Sequence, residues 1–172
     1  AVSGDPTATS IEGLHVAGAG LTLSARGRLA ADGGMEGRID ATAIDLAPLG
    51  AAAGQETAGA LTIGADLTGS TQEPRIALAV DGTAISAAGA GVDALSVSAD
   101  IRPVGDRIAL SAQGRLSGLA LGTAPAPVRG ADWTFVGTVG TDGRTEIEGL
   151  TVTARDGSVQ AAGTAAPAGT VD

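Results

Sequence analysis

Residues Gly59–Arg102 read GALTIGADLTGSTQEPRIALAVDGTAISAAGAGVDALSVSADIR, and their patterning decides the fold class. Leu61, Ile63, Ala65 and Leu67 alternate with Thr62, Gly64, Asp66 and Thr68. After a polar turn that holds Pro74, the run Ile76, Leu78 and Val80 repeats the alternation, and Leu95, Val97, Ala99 and Ile101 repeat it again. A period of two residues sends successive side chains to opposite faces of a strand. The stretch therefore predicts three consecutive strands that share one apolar and one wet face.

The same pattern extends in both directions. Towards the N-terminus, strands are predicted at Ile11–Ala17, at Leu21–Ala30 with Leu21, Leu23, Ala25, Gly27 and Leu29 on one face, and at Met35–Leu46. The last of these changes phase between Ala43 and Ile44, where a β-bulge would fit. Pro48–Thr57 reads as a loop with one helical turn. Towards the C-terminus, Gly105-Asp106 turns the chain into Arg107–Leu116, and Ser117–Gly130, with Pro125 and Pro127, reads as an edge or connection. Trp133–Val139, Thr145–Ala154 (with a phase slip near Gly149) and Ser158–Thr164 complete the series. Asp-Gly dipeptides at 32, 142 and 156 separate alternating runs and signal hairpins, whereas Asp81-Gly82 lies inside a run and signals a bend or bulge. The expectation is an all-β chain of about nine to eleven antiparallel strands, with residues 11–165 as one segment and residues 1–10 and 166–172 as flexible ends. Strand-level similarity between Leu21–Leu29 and Ile108–Leu116, and between Ala60–Leu67 and Ala94–Ile101, is too irregular in offset for a solenoid period.

Composition narrows the partners. Of 172 residues, 19 are acidic and 10 are arginine, with no lysine and a formal charge of −9. Nucleic acid and anionic bilayer surfaces call for clustered cations, which this sequence lacks. There is no cysteine, so neither a disulfide nor a thiolate metal site is expected. No apolar run reaches the ~18 residues of a spanning helix. The first residues, Ala1–Pro6, have neither the basic region nor the apolar core of a signal peptide. A chain that starts and stops in mid-pattern reads as a segment of a longer protein.

No catalytic constellation emerges. His15 is the single histidine and sits on the polar phase of its strand without a second ligand. Gly89–Ala94 matches G-x-G-x-x-A in form, but an alternating strand follows it where a dinucleotide site needs a helix N-terminus. The acidic residues show no calcium-loop spacing. Trp133 and Phe135, two residues apart, share a strand face; they read as core anchors or, alternatively, as ligand contacts in an apolar groove.

The run G-x-L-x-[IV]-x-x-x-L-x-G at Gly59–Gly69, followed by Pro74-Arg75-Ile76, the G-x-G turn and strand at Gly89–Ile101, and the ending Gly149–Gly163, together resemble the TamB/AsmA-like family of Gram-negative envelope proteins. The resemblance covers about residues 11–165 and rests on patterning. It implies a β-taco, a long antiparallel sheet curled into a U around an apolar interior. It implies a periplasmic location, with the parent protein anchored in the inner membrane by a helix that this segment lacks. It also implies phospholipid acyl chains as cargo between inner and outer membranes, and an Omp85-family outer-membrane partner, engaged through the parent chain, for outer-membrane protein assembly.

The leading expectation is accordingly a non-enzymatic, cofactor-free and metal-free conduit segment. Its groove would be lined by Leu21, Leu23, Leu61, Ile63, Leu67, Ile76, Leu78, Val80, Leu95, Val97, Ile101, Ile108, Leu110, Trp133 and Phe135. The alternative is a structural or adhesive β module of a secreted repeat protein with a dry packed core. Many apolar-phase positions are Ala or Gly, which suits either tightly closed walls or room for an acyl chain.

Overall fold

A computed structural model describes residues 2–5, 8–18, 20–121, 128–141 and 143–165. They form one antiparallel sheet of eleven strands in strict sequence order. The strands are β1 (Val2–Asp5), β2 (Ala8–Gly18), β3 (Leu21–Ala30), β4 (Met35–Ala43), β5 (Thr57–Gly69), β6 (Pro74–Ala87), β7 (Ala90–Val104), β8 (Arg107–Leu121), β9 (Val128–Gly140), β10 (Thr145–Ala154) and β11 (Gly157–Ala165). At ~4.8 Å between neighbours, ten intervals give a sheet about 48 Å across. Every substantial contact between strands is one between sequence neighbours.

Turn chemistry sets this order. β6 and β7 are joined by Ala88 and Gly89 alone, with φ of 48° and 81°. Two positive φ angles make the type I′ turn whose twist matches that of a two-stranded ribbon. β7 and β8 are joined by Gly105 and Asp106, where only Gly105 has positive φ, at 64°; glycine is the residue that adopts this without cost. Register then runs without a slip from Ile76↔Ile101 to Thr83↔Ala94. Where it slips, between Ala58 and Ala60 of β5, the extra residue lies on β6 near Ala84, which has φ 50°. The irregularity expected at Asp81-Gly82 thus falls two residues later.

Some expectations are corrected. β4 stops at Ala43, so the phase change at Ile44 marks the end of the strand and not a bulge within it. Ile44 is 73% exposed, and its N–H donates to Gly20 O outside the ladder. The helix α1 (Ala47–Ala52) begins directly afterwards, its first turn held by an Ala47 N–H donated to Asp45 Oδ1 at 2.9 Å. Ser117–Leu121 and Val128–Gly130 are not an edge: they belong to β8 and β9, deep in the strand order. Gly118 lies between the paired residues Ser117 and Leu119 with φ 64°, and the register with β9 is the same on both sides of it. Pro125 and Pro127, and Asp142 of the third Asp-Gly pair, lie outside the described residues, as do residues 166–172. At the N-terminal end, strand pairing reaches into residues 2–5 and 8–10. The phase slip near Gly149 is a bulge, between Ile147 and Gly149.

Candidate functional site

In an antiparallel ladder, directly paired residues present their side chains on the same face. Following one pairing to the next traces rows across the whole sheet. One row runs Val16, Leu23, Ala41, Ile63, Val80, Val97, Gly114, Trp133, Val152, Val159. The next runs Leu14, Ala25, Ile39, Ala65, Leu78, Ala99, Ala112, Phe135, Leu150, Ala161. On either side of this pair lie a row through Leu21, Ala43, Leu61, Gly82, Leu95 and Leu116, and one through Leu67, Ile76, Ile101, Leu110 and Ile147. These four rows carry no charged side chain. They make a continuous apolar surface from β2 to β11.

All fifteen predicted lining residues fall on this face. Fourteen belong to the four rows, and Ile108 lies just beyond them, paired with Pro103 and Val139. The face also includes residues the sequence reading passed over: Ile39 in β4, Leu116 in β8, and Ile147, Leu150 and Val152 in β10. The bulge at Gly149 hid the last three, because it breaks the two-residue period between Ile147 and Leu150. For Ile39 the signal was present, as it alternates with Arg38 and Asp40.

Nothing in the described structure covers this face. The buried hydrophobic residues among those described are Ala43 and Ala131, and no large side chain is fully buried. Central residues such as Leu78, Val97, Trp133 and Phe135 are half-buried by their neighbours within the sheet. Elsewhere on the face, Leu14, Val16, Ile39 and Ile108 are 49–50% exposed. Exposed apolar surface on this scale marks a site of interaction.

The two aromatic residues fill glycine gaps in the rows. Gly114 and Trp133 are directly paired, and a Cβ on Gly114 would lie 2.7 Å from Trp133 Cε2 and Cζ2. The indole therefore lies across the strand over the bare glycine backbone. A Cβ on Gly137 would meet Phe135 Cζ at 2.9 Å, so the phenyl ring leans over its own strand in the same way. Aromatic cover of sheet glycines is a recognised stabilising device.

The opposite face is polar and cross-linked by ion pairs. Arg38 donates to both oxygens of Asp40 and of Asp66 at 2.9–3.0 Å. Arg75 bridges to Asp100, Arg107 to Glu146 and Arg115 to Asp132. Hydrogen bonds from Arg38 hold the Asp40 carboxyl below the usual carboxylate range, and those from Arg115 do the same for Asp132. His15 stands on this face, exposed and opposite Ser24. Two shallow open hollows of ≈ 480 and ≈ 460 Å³ lie here, floored by Ala77, Ala79, Ser96, Ser98 and Ser111. Of the carboxylates lining them, Asp100 and Asp132 are each held by an arginine. Gly89–Ala94 is a hairpin turn running into β7, so no helix N-terminus faces a phosphate there. Among the described residues no group of three His, Asp or Glu side chains is placed to hold a metal ion, and no helix is long and apolar enough to cross a membrane.

Comparison with family models, with curated proteins and with solved structures found no match.

Proposed function

We propose that the chain is a non-enzymatic segment of a TamB-like periplasmic protein, and that its apolar sheet face carries phospholipid acyl chains between the inner and outer membranes. In this reading the sheet curls towards its apolar side into a U-shaped groove. The inner-membrane anchor and the Omp85-family partner in outer-membrane protein assembly both belong to the parent chain. The observation that carries the proposal is the unbroken, charge-free apolar face running through ten strands with no layer packed on it. An apolar sheet face in water is unstable until something covers it. Rows aligned across the strands give an elongated cargo one direction in which to lie. A dry structural module would instead seal its large side chains, and here Leu78, Val97, Trp133 and Phe135 all keep solvent access.

Trp133 supplies the test, being the one tryptophan and lying on β9 in one of the two inner rows of the face. Phospholipid carrying bromine on its acyl chain should quench Trp133 emission and shift it to shorter wavelength. Native mass spectrometry with lipid extraction should recover phospholipid from the protein purified out of a Gram-negative periplasm. Leu78→Arg and Val97→Arg place a cation within the rows and should abolish both signals, while Thr62→Arg on the wet face leaves them intact. Equal loss in all three variants, or no quenching in the parent protein, would refute the acyl-chain reading.

A further inference from the structure

Three residues inside strands have left-handed backbone and fall in one row across the sheet. Gly59 of β5, at φ 108°, lies between the pairs Ala58↔Ser86 and Ala60↔Thr83. Ala84 of β6, at φ 50°, faces it there and lies between Thr83↔Ala94 and Ile85↔Val92. Asp93 of β7 comes opposite Ala84, and Gly118 of β8, at φ 64°, comes opposite Asp93 in the gap between Ala94↔Ser117 and Gly91↔Ala120. The row crosses four strands, about 14 Å, and the pairing that is regular on either side of it is missing along it. An added Cβ on Gly118 would run into the Asp93 carboxylate, and one on Gly59 would lie 2.6 Å from Ala84 O. Left-handed backbone is free at glycine but strained at alanine, and strain of this kind gathers at switch regions.

The row also shifts the side-chain phase. Thr83 and Ala84 are both exposed, as are Asp93 and Ala94, so β6 and β7 each place an extra residue on the wet side. Ile85 is thereby returned to the apolar face, where an added Cβ on Gly82 would run into Ile85 Cδ1. Its partner Val92 stands on the same face. Ser86, Gly91 and Ala120 pair across the three strands on the wet face, which leaves Leu119, next to Ala120, on the apolar one. Extra residues on the wet side lengthen that side, and bulges and glycine kinks so placed bend the strand ends towards the other. A hollow of ≈ 830 Å³ borders these ends, and its described lining, Gln55–Ala58 and Ser86–Gly91, lies wholly beyond the row.

We infer that the row Gly59, Ala84, Asp93 and Gly118 is a hinge, and that the strand ends beyond it form a strap that closes over the apolar face. The strap comprises Thr57–Ala58, the hairpin Ile85–Val92 and Leu119–Leu121. Hinges are built from a few residues that absorb a change in backbone angle, and here the ladder is already interrupted where those residues lie. Ile85 to Ala87 reach about 10 Å, against about 6.6 Å between successive rows. The closed strap therefore covers the row through Leu61, Gly82, Leu95 and Leu116 and holds an acyl chain there beneath Ile85, Val92 and Leu119. The connection before β5 moves with the strap, because Thr57 Oγ1 donates to Leu46 O and Leu46 N–H to Gly59 O, both at 2.8 Å. Closure over cargo rests on the acyl-chain reading, whereas the hinge itself does not.

The chain has no cysteine, so spin labels can be placed in chosen pairs. Ala77→Cys with Ser86→Cys straddles the row on β6, and Ser96→Cys with Val104→Cys lies wholly in the body of β7. Straight strands would hold these pairs about 30 Å and about 26 Å apart. Pulsed dipolar spectroscopy of the lipid-free chain should give one narrow distance for the body pair and, for the straddling pair, a broad distribution reaching below its straight value. A short-chain phosphatidylcholine, kept below its micelle concentration, should narrow that distribution onto its short end. Ala84→Val sets a β-branched residue at a left-handed position and should move the distribution to the straight value, with the body pair unchanged as the sign that the sheet still forms. Ala84→Gly removes the strain and should shift it towards the short end. A straddling pair as narrow as the body pair, or a distribution that neither variant moves, would overturn the hinge. A distribution that phosphatidylcholine leaves unchanged while it shifts Trp133 emission would overturn the closure. Unshifted Trp133 emission would count against the acyl-chain reading instead, and the lipid-free distances would still decide the hinge.

Discussion

Gly114→Ala tests whether the apolar face is held together by aromatic cover of glycine. The added methyl carbon would sit 2.5 Å from Ser96 O and 2.7 Å from Trp133 Cε2 and Cζ2. The indole can swing away, but the Ser96 carbonyl belongs to the β7 ladder and cannot. Overpacking of this kind costs about 1–3 kcal/mol. Against it stands a gain of about 0.4–1 kcal/mol, because alanine restricts the unfolded chain more than glycine does and the backbone at 114 needs no positive φ. The expected net loss is about 1–2 kcal/mol, or roughly 2–8 °C in Tm for a chain of this length. Gly18→Ala is the matched control, since a Cβ there meets nothing within 4 Å; it should keep the entropic gain and leave Tm level or slightly raised. Thermal unfolding by circular dichroism measures both. Trp133 fluorescence adds a local reading, with emission moving to longer wavelength in Gly114→Ala as the indole is pushed off the sheet. If Gly114→Ala proves as stable as Gly18→Ala with unchanged emission, the packing argument fails.

The remaining expectations concern the same two faces. Trp133→Ala uncovers Gly114 and removes a half-buried ring; about half of a core aromatic deletion, roughly 2 kcal/mol, should be lost, with Trp133→Phe milder, as read by urea unfolding. Asp132→Asn removes the carboxylate that pairs with Arg115. Because Asp132 titrates below its ordinary range in the folded chain, its contribution is present above the unfolded value of about 4 and is lost as pH falls through the lower folded value. The parent should therefore exceed Asp132→Asn in Tm near neutrality by a small, salt-sensitive margin that closes as the Asp132 carboxylate is protonated in acid. A margin that widens on acidification would contradict this account.

How much was legible in the sequence follows from how each feature is encoded. Strand existence and facing are local, and the period of two from Leu61 to Ile101 carried both. The same period placed all fifteen named residues on one face, because a sheet of sequence neighbours needs no long-range information to order its strands. What failed was non-periodic. The break at Ile44 could be a bulge or a strand end, and only the Gly20 and Asp45 hydrogen bonds decide for the end. Pro125 and Pro127 drew attention to a connection and obscured the fact that the residues flanking it, Ser117–Leu121 and Val128–Gly130, pair inside the sheet. The bulge at Gly149 concealed the β10 share of the apolar face. The aromatic cover of Gly114 was out of reach, since it depends on the register between β8 and β9, which neither strand encodes alone.

The absence of a second layer has an energetic consequence. In a globular domain large side chains leave water completely, and that burial offsets the entropy of ordering the chain. Here each strand is supported by its two neighbours, as in a linear array where stability is a sum of nearest-neighbour terms. Among the described residues such a sheet resists unfolding least at β1 and β11, which each pair with one neighbour there, and its apolar face contributes only the part of its area that adjacent side chains shield. Any occupant of that face, whether an acyl chain or another sheet, removes the rest from water and is thereby linked to folding. Binding to that face and stability are then one equilibrium. A ligand of the apolar face should raise Tm with its concentration, and a cation placed in the rows by Val97→Arg should remove that dependence even where the unliganded sheet still forms.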